Sequence, residues 1–299
     1  MGKYINIKEV GPRDGFQNVK KYIPVETKLQ MIEGIVKSGI KNVQITSFMN
    51  PKAVPQTSDA AQIAQVCLEK YPNTGIYALA ANKRGVDNAC RCGLRNLSFV
   101  TSVTEGHNKA NVRKSVDESV EELRECMAEY PEICFTWDVS MAFGCSFEGE
   151  VTVEQLVRHI EKGLSIGLHR FNLCDTIGIA TPLMIEERVL RLLKEFPEEY
   201  FSVHVHDTRN MGMVNSLRAI ECGITEIETS IGGLGGCPFS PGASGNTSTE
   251  DLVFMLNRMG YETGIDFDRL LDVSKGCKEK IEGNYSGHHI NIGNECRIQ

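Results

Sequence analysis

The 299-residue chain is long enough for two ordinary domains or for one large α/β barrel of roughly 250 residues. Its 41% hydrophobic and 24% charged residues exclude a disordered or low-complexity chain, and 39 acidic against 32 basic side chains argue against nucleic-acid or anionic-lipid partners. Eleven cysteines, an odd number with no C-x-x-C pair, read as reduced thiols; with no secretory h-region and no apolar run of ~20 residues, a cytoplasmic protein away from the membrane is expected.

Taken in chain order, eight short runs rich in β-branched and aromatic residues are predicted as strands, over 4–10, 42–48, 75–79, 96–101, 133–139, 170–174, 201–206 and 226–231. Amphipathic helical patterns lie between them, such as VETKLQMIEGIVKSG, SVDESVEELRECMAEY and TVEQLVRHIEKGLSIG. Gly39, Gly93, Gly167 and Gly223 follow helical stretches and suit left-handed C-caps. Strict alternation without a Gly/Pro/Ser-rich linker predicts a (β/α)8 TIM barrel as one catalytic domain over 1–283, with a doubly wound sheet as the alternative and 284–299 as a short C-terminal tail.

Chemistry in such a barrel collects where the strands end. On the seventh strand Phe201, Val203 and Val205 alternate with Ser202, His204 and His206, so both imidazoles face the interior near the mouth. They suit a borderline divalent metal, or else form a hydrogen-bonded pair of core histidines. The first strand runs into EVGPRDGFQN, bringing Glu9, Arg13, Asp14 and Gln17 to the mouth. Asp14 offers a carboxylate to an ion and Arg13 a permanent positive charge for an oxyanion, unless the pair serves only a surface turn. The loop GGLGGCPFSPGASGN, residues 232–246, carries Cys237, whose thiol near a cation would exchange a proton at neutral pH.

EVGPRDGFQN, TSFMNPKAVPQTSD, DTIGIATP, HVHDT and GGLGGCPFSPGASGNTSTEDLVFML together resemble the hydroxymethylglutaryl-CoA lyase family, within the metal-dependent TIM-barrel lyases and synthases. The resemblance spans about 9–260. It implies a divalent metal, Mg2+ or Mn2+, held by Asp14, His204, His206 and Asn246; Arg13 neutralising an enolate; Cys237 transferring a proton; and Asp175 as a further acidic active-site residue or a turn cap. The implied substrate is hydroxymethylglutaryl-CoA or a related 3-hydroxyacyl-CoA, cleaved to acetyl-CoA and a 3-oxo acid. Rival readings are an aldolase or Claisen-type synthase acting on 2-oxo acids, and a non-catalytic metal-binding barrel.

The chain departs from the family at three places that bear on substrate binding. Gln44 stands where the family carries glutamate, HDTRN puts Arg209 and Asn210 where the family has HDTYG, and Trp137-Asp138 replaces a less bulky, less charged pair. Loss of a carboxylate at Gln44 removes an obvious general base, while Arg209 at the rim would favour an anionic substrate group. His288 and His289 are adjacent and would point apart on a strand, and Cys296 reads as an inert thiol. The sequence leaves room for a homo-oligomer.

Overall fold

The structure is a computed structural model that describes residues 2–236 and 245–293. Its eight parallel strands are β1 (Asn6–Glu9), β2 (Asn42–Ser47), β3 (Gly75–Ala80), β4 (Asn96–Ser102), β5 (Cys134–Ser140), β6 (Arg170–Asp175), β7 (Tyr200–Val205) and β8 (Glu226–Thr229). They close in sequence order into a barrel, with β8 paired to β1. The (β/α)8 expectation holds, and the doubly wound sheet is excluded because an open sheet would leave two unpaired edges.

Helices α1 (Val25–Lys37), α2 (Ala60–Lys70), α3 (Lys83–Arg91), α4 (Glu105–Val112), α5 (Val116–Glu129), α6 (Val153–Ser165), α7 (Pro182–Glu195) and α8 (Gly212–Glu221) fall between strands; α9 (Thr249–Arg258) and α10 (Phe267–Lys280) follow the barrel. Capping boxes at Ser115/Glu118 and Thr152/Gln155 start α5 and α6 by satisfying backbone N–H groups that have no partner within the helix. The four glycines expected to end helices all have positive φ, from +83° at Gly167 to +117° at Gly223.

Two predicted strands are shorter than the sequence suggested. Val10 leaves β1 to open a π-helical turn, Gly11–Gly15, and Ile231 leaves β8 to open a 3-10 turn, Ile231–Gly233. Both departures share one cause. Glu9, expected at the mouth, instead accepts hydrogen bonds from Gly11 N (2.7 Å), Ile231 N (2.9 Å) and Thr249 Oγ1 (2.6 Å), pinning the turns and the start of α9 together.

The apolar core lies between strands and helices rather than inside the barrel. Outward side chains such as Val43, Phe99, Trp137, Phe171 and Val203 are buried against the helices, whereas the interior is filled by Lys8, Gln44, Tyr77, Asn172, Ser202 and Glu228. Trp137 stacks on His159 of α6 with ring centroids 4.6 Å apart. That approach needs Gly163, where a Cβ would sit 2.4 Å from the indole and 2.6 Å from the Phe171 ring. Gly163→Ala is therefore expected to destabilise the fold by about 1–3 kcal/mol through overpacking, measured by chemical denaturation. The bulky residue at position 137 is thus a matter of packing, while Asp138, next along the strand, points inward.

Candidate active site

The π-helical turn after β1 delivers Arg13 and Asp14 to the barrel mouth, because Val10 O accepts both their backbone N–H groups, at 3.0 and 2.7 Å. Arg13 Nε donates to Gln44 Oε1 and its Nη1 to Asp14 Oδ1, while Gln44 Nε2 donates to Ser98 Oγ at 3.2 Å. The guanidinium is thereby oriented from two sides. Asp14 Oδ2 accepts from Asn246 Nδ2 at 2.8 Å and lies 3.9 Å from His206 Nε2. His206 Nε2 in turn faces His204 Nε2 across 3.0 Å.

Asn246 reaches this point because the chain returns beside β7, with a bridge to His206 and a 2.6 Å hydrogen bond from Asp207 N to Gly245 O. Its amide nitrogen is occupied by Asp14 and by Leu234 O at 3.1 Å, yet its Oδ1 is buried without a hydrogen-bond partner. Asp14, His204 and His206 offer ligand atoms within 4.8 Å of one another. Two opposed imidazole nitrogens, a carboxylate and an orphaned carbonyl oxygen fit a divalent cation, since buried acceptors are otherwise satisfied by donors.

A second layer of side chains holds the cluster. Glu228 accepts from His204 Nδ1 (3.1 Å), Asn172 Nδ2 (2.8 Å) and Tyr77 OH (2.9 Å), with Lys8 Nζ at 3.4 Å. Burial pushes Glu228 up, but Lys8 and His204 outweigh it and hold the carboxyl well below the usual range. A histidine oriented through its far nitrogen by a carboxylate is the usual support for a metal-binding imidazole. Burial, then the charge of His204, brings His206 down to about 4, so it offers a neutral imidazole. For Asp14, burial acts upward, and Arg13 with the two histidines overcomes it to give a net lowering.

The other expected site residues divide. Gln17 lines the cavity together with Arg13, Asp14, His204 and His206, and its Oε1 is buried without a partner. Gln44, expected to touch substrate, lies fully buried behind Arg13 and is not part of the cavity wall. Arg209 turns its guanidinium to Ile177 O (2.8 Å) and Gly178 O (3.1 Å), bracing the neighbouring loop. Asp175 caps that same loop, accepting from Ile179 N and Ala180 N at 3.0 Å each, and burial raises it to about 6. Cys237 and Cys296 lie outside the described residues.

The tail's beginning packs on the turn Ile231–Gly233 and on Asn246. Ser286 Oγ donates to Asn246 O at 2.8 Å and Gly287 N to Gly232 O at 2.9 Å. His288 and His289 do not point apart: Asp251 accepts from both backbone N–H groups, at 2.7 and 3.0 Å, and its Oδ1 lies 2.6 Å from His289 Nδ1.

Sequence reading missed Glu228, Asn172, Tyr77 and Lys8. Strand parity would have found the glutamate: in EIET, Glu226 and Glu228 share the inward face by the same alternation that placed His204 and His206.

A family model described as HMGL-like matches residues 4–276. The chain belongs to the HMGL-like family. It is 37% identical over 281 residues to hydroxymethylglutaryl-CoA lyase YngG of Bacillus subtilis, covering 93% of this chain and 94% of that protein. The mitochondrial hydroxymethylglutaryl-CoA lyase of Gallus gallus is 36% identical, with 90% of each chain covered. Among solved structures, an HMG-CoA lyase from Acinetobacter baumannii in complex with coenzyme A and 3-methylmalate matches with a TM-score of 0.93 at 31% identity, covering 99% of this chain and 97% of that one. These relatives, named hydroxymethylglutaryl-CoA lyases and matched along nine-tenths or more of the chain, support the carbon–carbon lyase reading over the aldolase, the synthase and the silent barrel. No helix among the described residues is long and apolar enough to cross a membrane.

Proposed function

We propose that the protein cleaves hydroxymethylglutaryl-CoA, or a closely related 3-hydroxyacyl-CoA, to acetyl-CoA and a 3-oxo acid. One observation carries this reading: the Asp14 carboxylate and both imidazole nitrogens converge beside Arg13 on a cavity, and Asn246, whose buried Oδ1 has no partner, is joined to Asp14 through its amide nitrogen. Asp14, His204, His206 and Asn246 would hold Mg2+ or Mn2+, which when bound polarises substrate oxygen. The Arg13 guanidinium stabilises the negative thioester oxygen that develops as the carbon–carbon bond breaks. Cys237 is the proposed proton donor to the enolate carbon, and Gln17 Oε1 the acceptor that orients the substrate.

The name of the Acinetobacter baumannii complex, with its coenzyme A and 3-methylmalate, widens the set of thioesters worth testing to branched hydroxy diacids. The test is a screen of 3-hydroxyacyl-CoA thioesters with added Mg2+ or Mn2+, read by mass spectrometry. Release of acetyl-CoA with a matching 3-oxo acid is expected. Turnover of free 2-oxo acids, with none of any thioester, would replace the reading by an aldolase.

A further inference from the structure

Cleavage of a tertiary alcohol needs a base for its proton, and the residues assigned so far supply none. Among the cavity-lining groups Asp14, His204 and His206 would be taken up in holding the cation, and Glu228 has both its oxygens engaged by neighbours. Cys174 is a thiol that burial raises well above its ordinary value, and burial takes His107 down to about 4, too weak a base. Gln44 carries an amide, which cannot accept a proton.

Asp138 remains. It lies on the inward face of β5, in register with Asn172 of β6, and its carboxylate lines the same cavity as Arg13 and the cluster. Oδ1 accepts from Asn172 Nδ2 at 3.1 Å, and Oδ2 has no hydrogen-bond donor among the described residues. Asn172 Nδ2 also reaches Glu228 Oε2 at 2.8 Å, so the amide holds Asp138 in place without neutralising it. The charged groups around it are Glu228 of β8, Lys8 of β1 and Arg13 of the first turn; burial and Glu228 raise its pKa, the two cations lower it, and the balance is about 6. A carboxylate of that strength is ionised at pH 7 and more basic than an exposed one, as a general base requires.

We infer that Asp138 is the general base that accepts the proton of the substrate's tertiary hydroxyl, an assignment that rests on the lyase reading above. The O–H bond breaks and its proton passes to Oδ2. Its electron pair forms the second bond of the new carbonyl while the carbon–carbon bond breaks, and the released pair enters the thioester as an enolate. An exchangeable acid of the enzyme, or water, protonates that carbon to give acetyl-CoA, and Asp138 returns its proton to solvent.

The experiment separates this step from enolate chemistry. Exchange of the acetyl-CoA methyl protons in D2O makes and quenches the enolate but involves no hydroxyl. With the Mn2+-loaded enzyme, Asp138→Asn is expected to lower kcat for cleavage by about 10²–10⁴, while deuterium exchange and Mn2+ affinity stay within about threefold of the parent. Asp138→Ser is expected to show the same split, so a folding failure in one variant does not decide the question. Cleavage within tenfold of the parent would overturn the assignment, and so would a parallel loss of exchange and metal binding, which marks a structural role. A parent enzyme that cleaves no thioester overturns the lyase reading itself, and the base assignment falls with it.

Discussion

Arg13→Lys is expected to lower kcat for thioester cleavage by about 10²–10³, with Mn2+ affinity reduced to a smaller extent. The positive charge survives this substitution, so the prediction rests on geometry. Arg13 uses Nε for Gln44 and Nη1 for Asp14, two directions fixed by one planar fork. An ammonium on a flexible stem can satisfy one of them, and the other acceptor is left without its donor. Lysine bound to Asp14 would leave Gln44 Oε1 unsatisfied in the barrel, and lysine bound to Gln44 would leave Asp14 Oδ1 without its donor and the carboxylate held by Asn246 alone. In either arrangement the charge no longer faces the cavity with the same aim. Steady-state kinetics with a Mn2+ titration of each form checks this; kcat within tenfold of the parent would show that charge alone suffices at position 13.

Much of this site is visible in the chain itself because barrel chemistry has two readable parts. Alternation along β7 puts His204 and His206 on one inward face, and the position after β1 puts Arg13 and Asp14 at the same end; both placements follow from local geometry. What is hidden is which polar group answers which. Arg209 looks like a rim cation, yet two backbone carbonyls of the preceding loop take up its guanidinium. Gln44 looks like a substrate contact because its strand ends at the mouth, but Arg13 folds over it and separates it from the cavity. Glu9 looks like part of the polar crowd, whereas it is claimed by the neighbouring Gly11 N and by two donors from distant segments, Ile231 N and Thr249 Oγ1. The long-range ones are partnerships across 31 to 240 residues of chain, and no local pattern encodes them. Asp138 shows the converse: its charge is visible as an oddity beside Trp137 and alternation puts the two on opposite faces, but only the closed barrel shows that Asp138 meets Asn172 and the cavity.

The interior network leads to the second large effect. Glu228→Gln is expected to weaken Mn2+ binding by about 10- to 100-fold and to lower stability by about 3–5 kcal/mol. Glu228 takes hydrogen bonds from Tyr77, Asn172 and His204 and faces Lys8. An amide can accept on one side only, and its own N–H groups would point at donors. His204 would lose the anion that fixes its ring with Nε2 toward the cluster. Glu226→Gln is the control, because Glu226 pairs with Lys8 at 3.3 Å and with Asn6 at 2.7 Å but does not touch His204. That variant should lose stability while keeping its Mn2+ affinity. Equal weakening of metal binding in both variants would mean that the barrel's charge balance, rather than the hydrogen bond to His204, governs the site; a difference between them assigns the effect to the oriented imidazole.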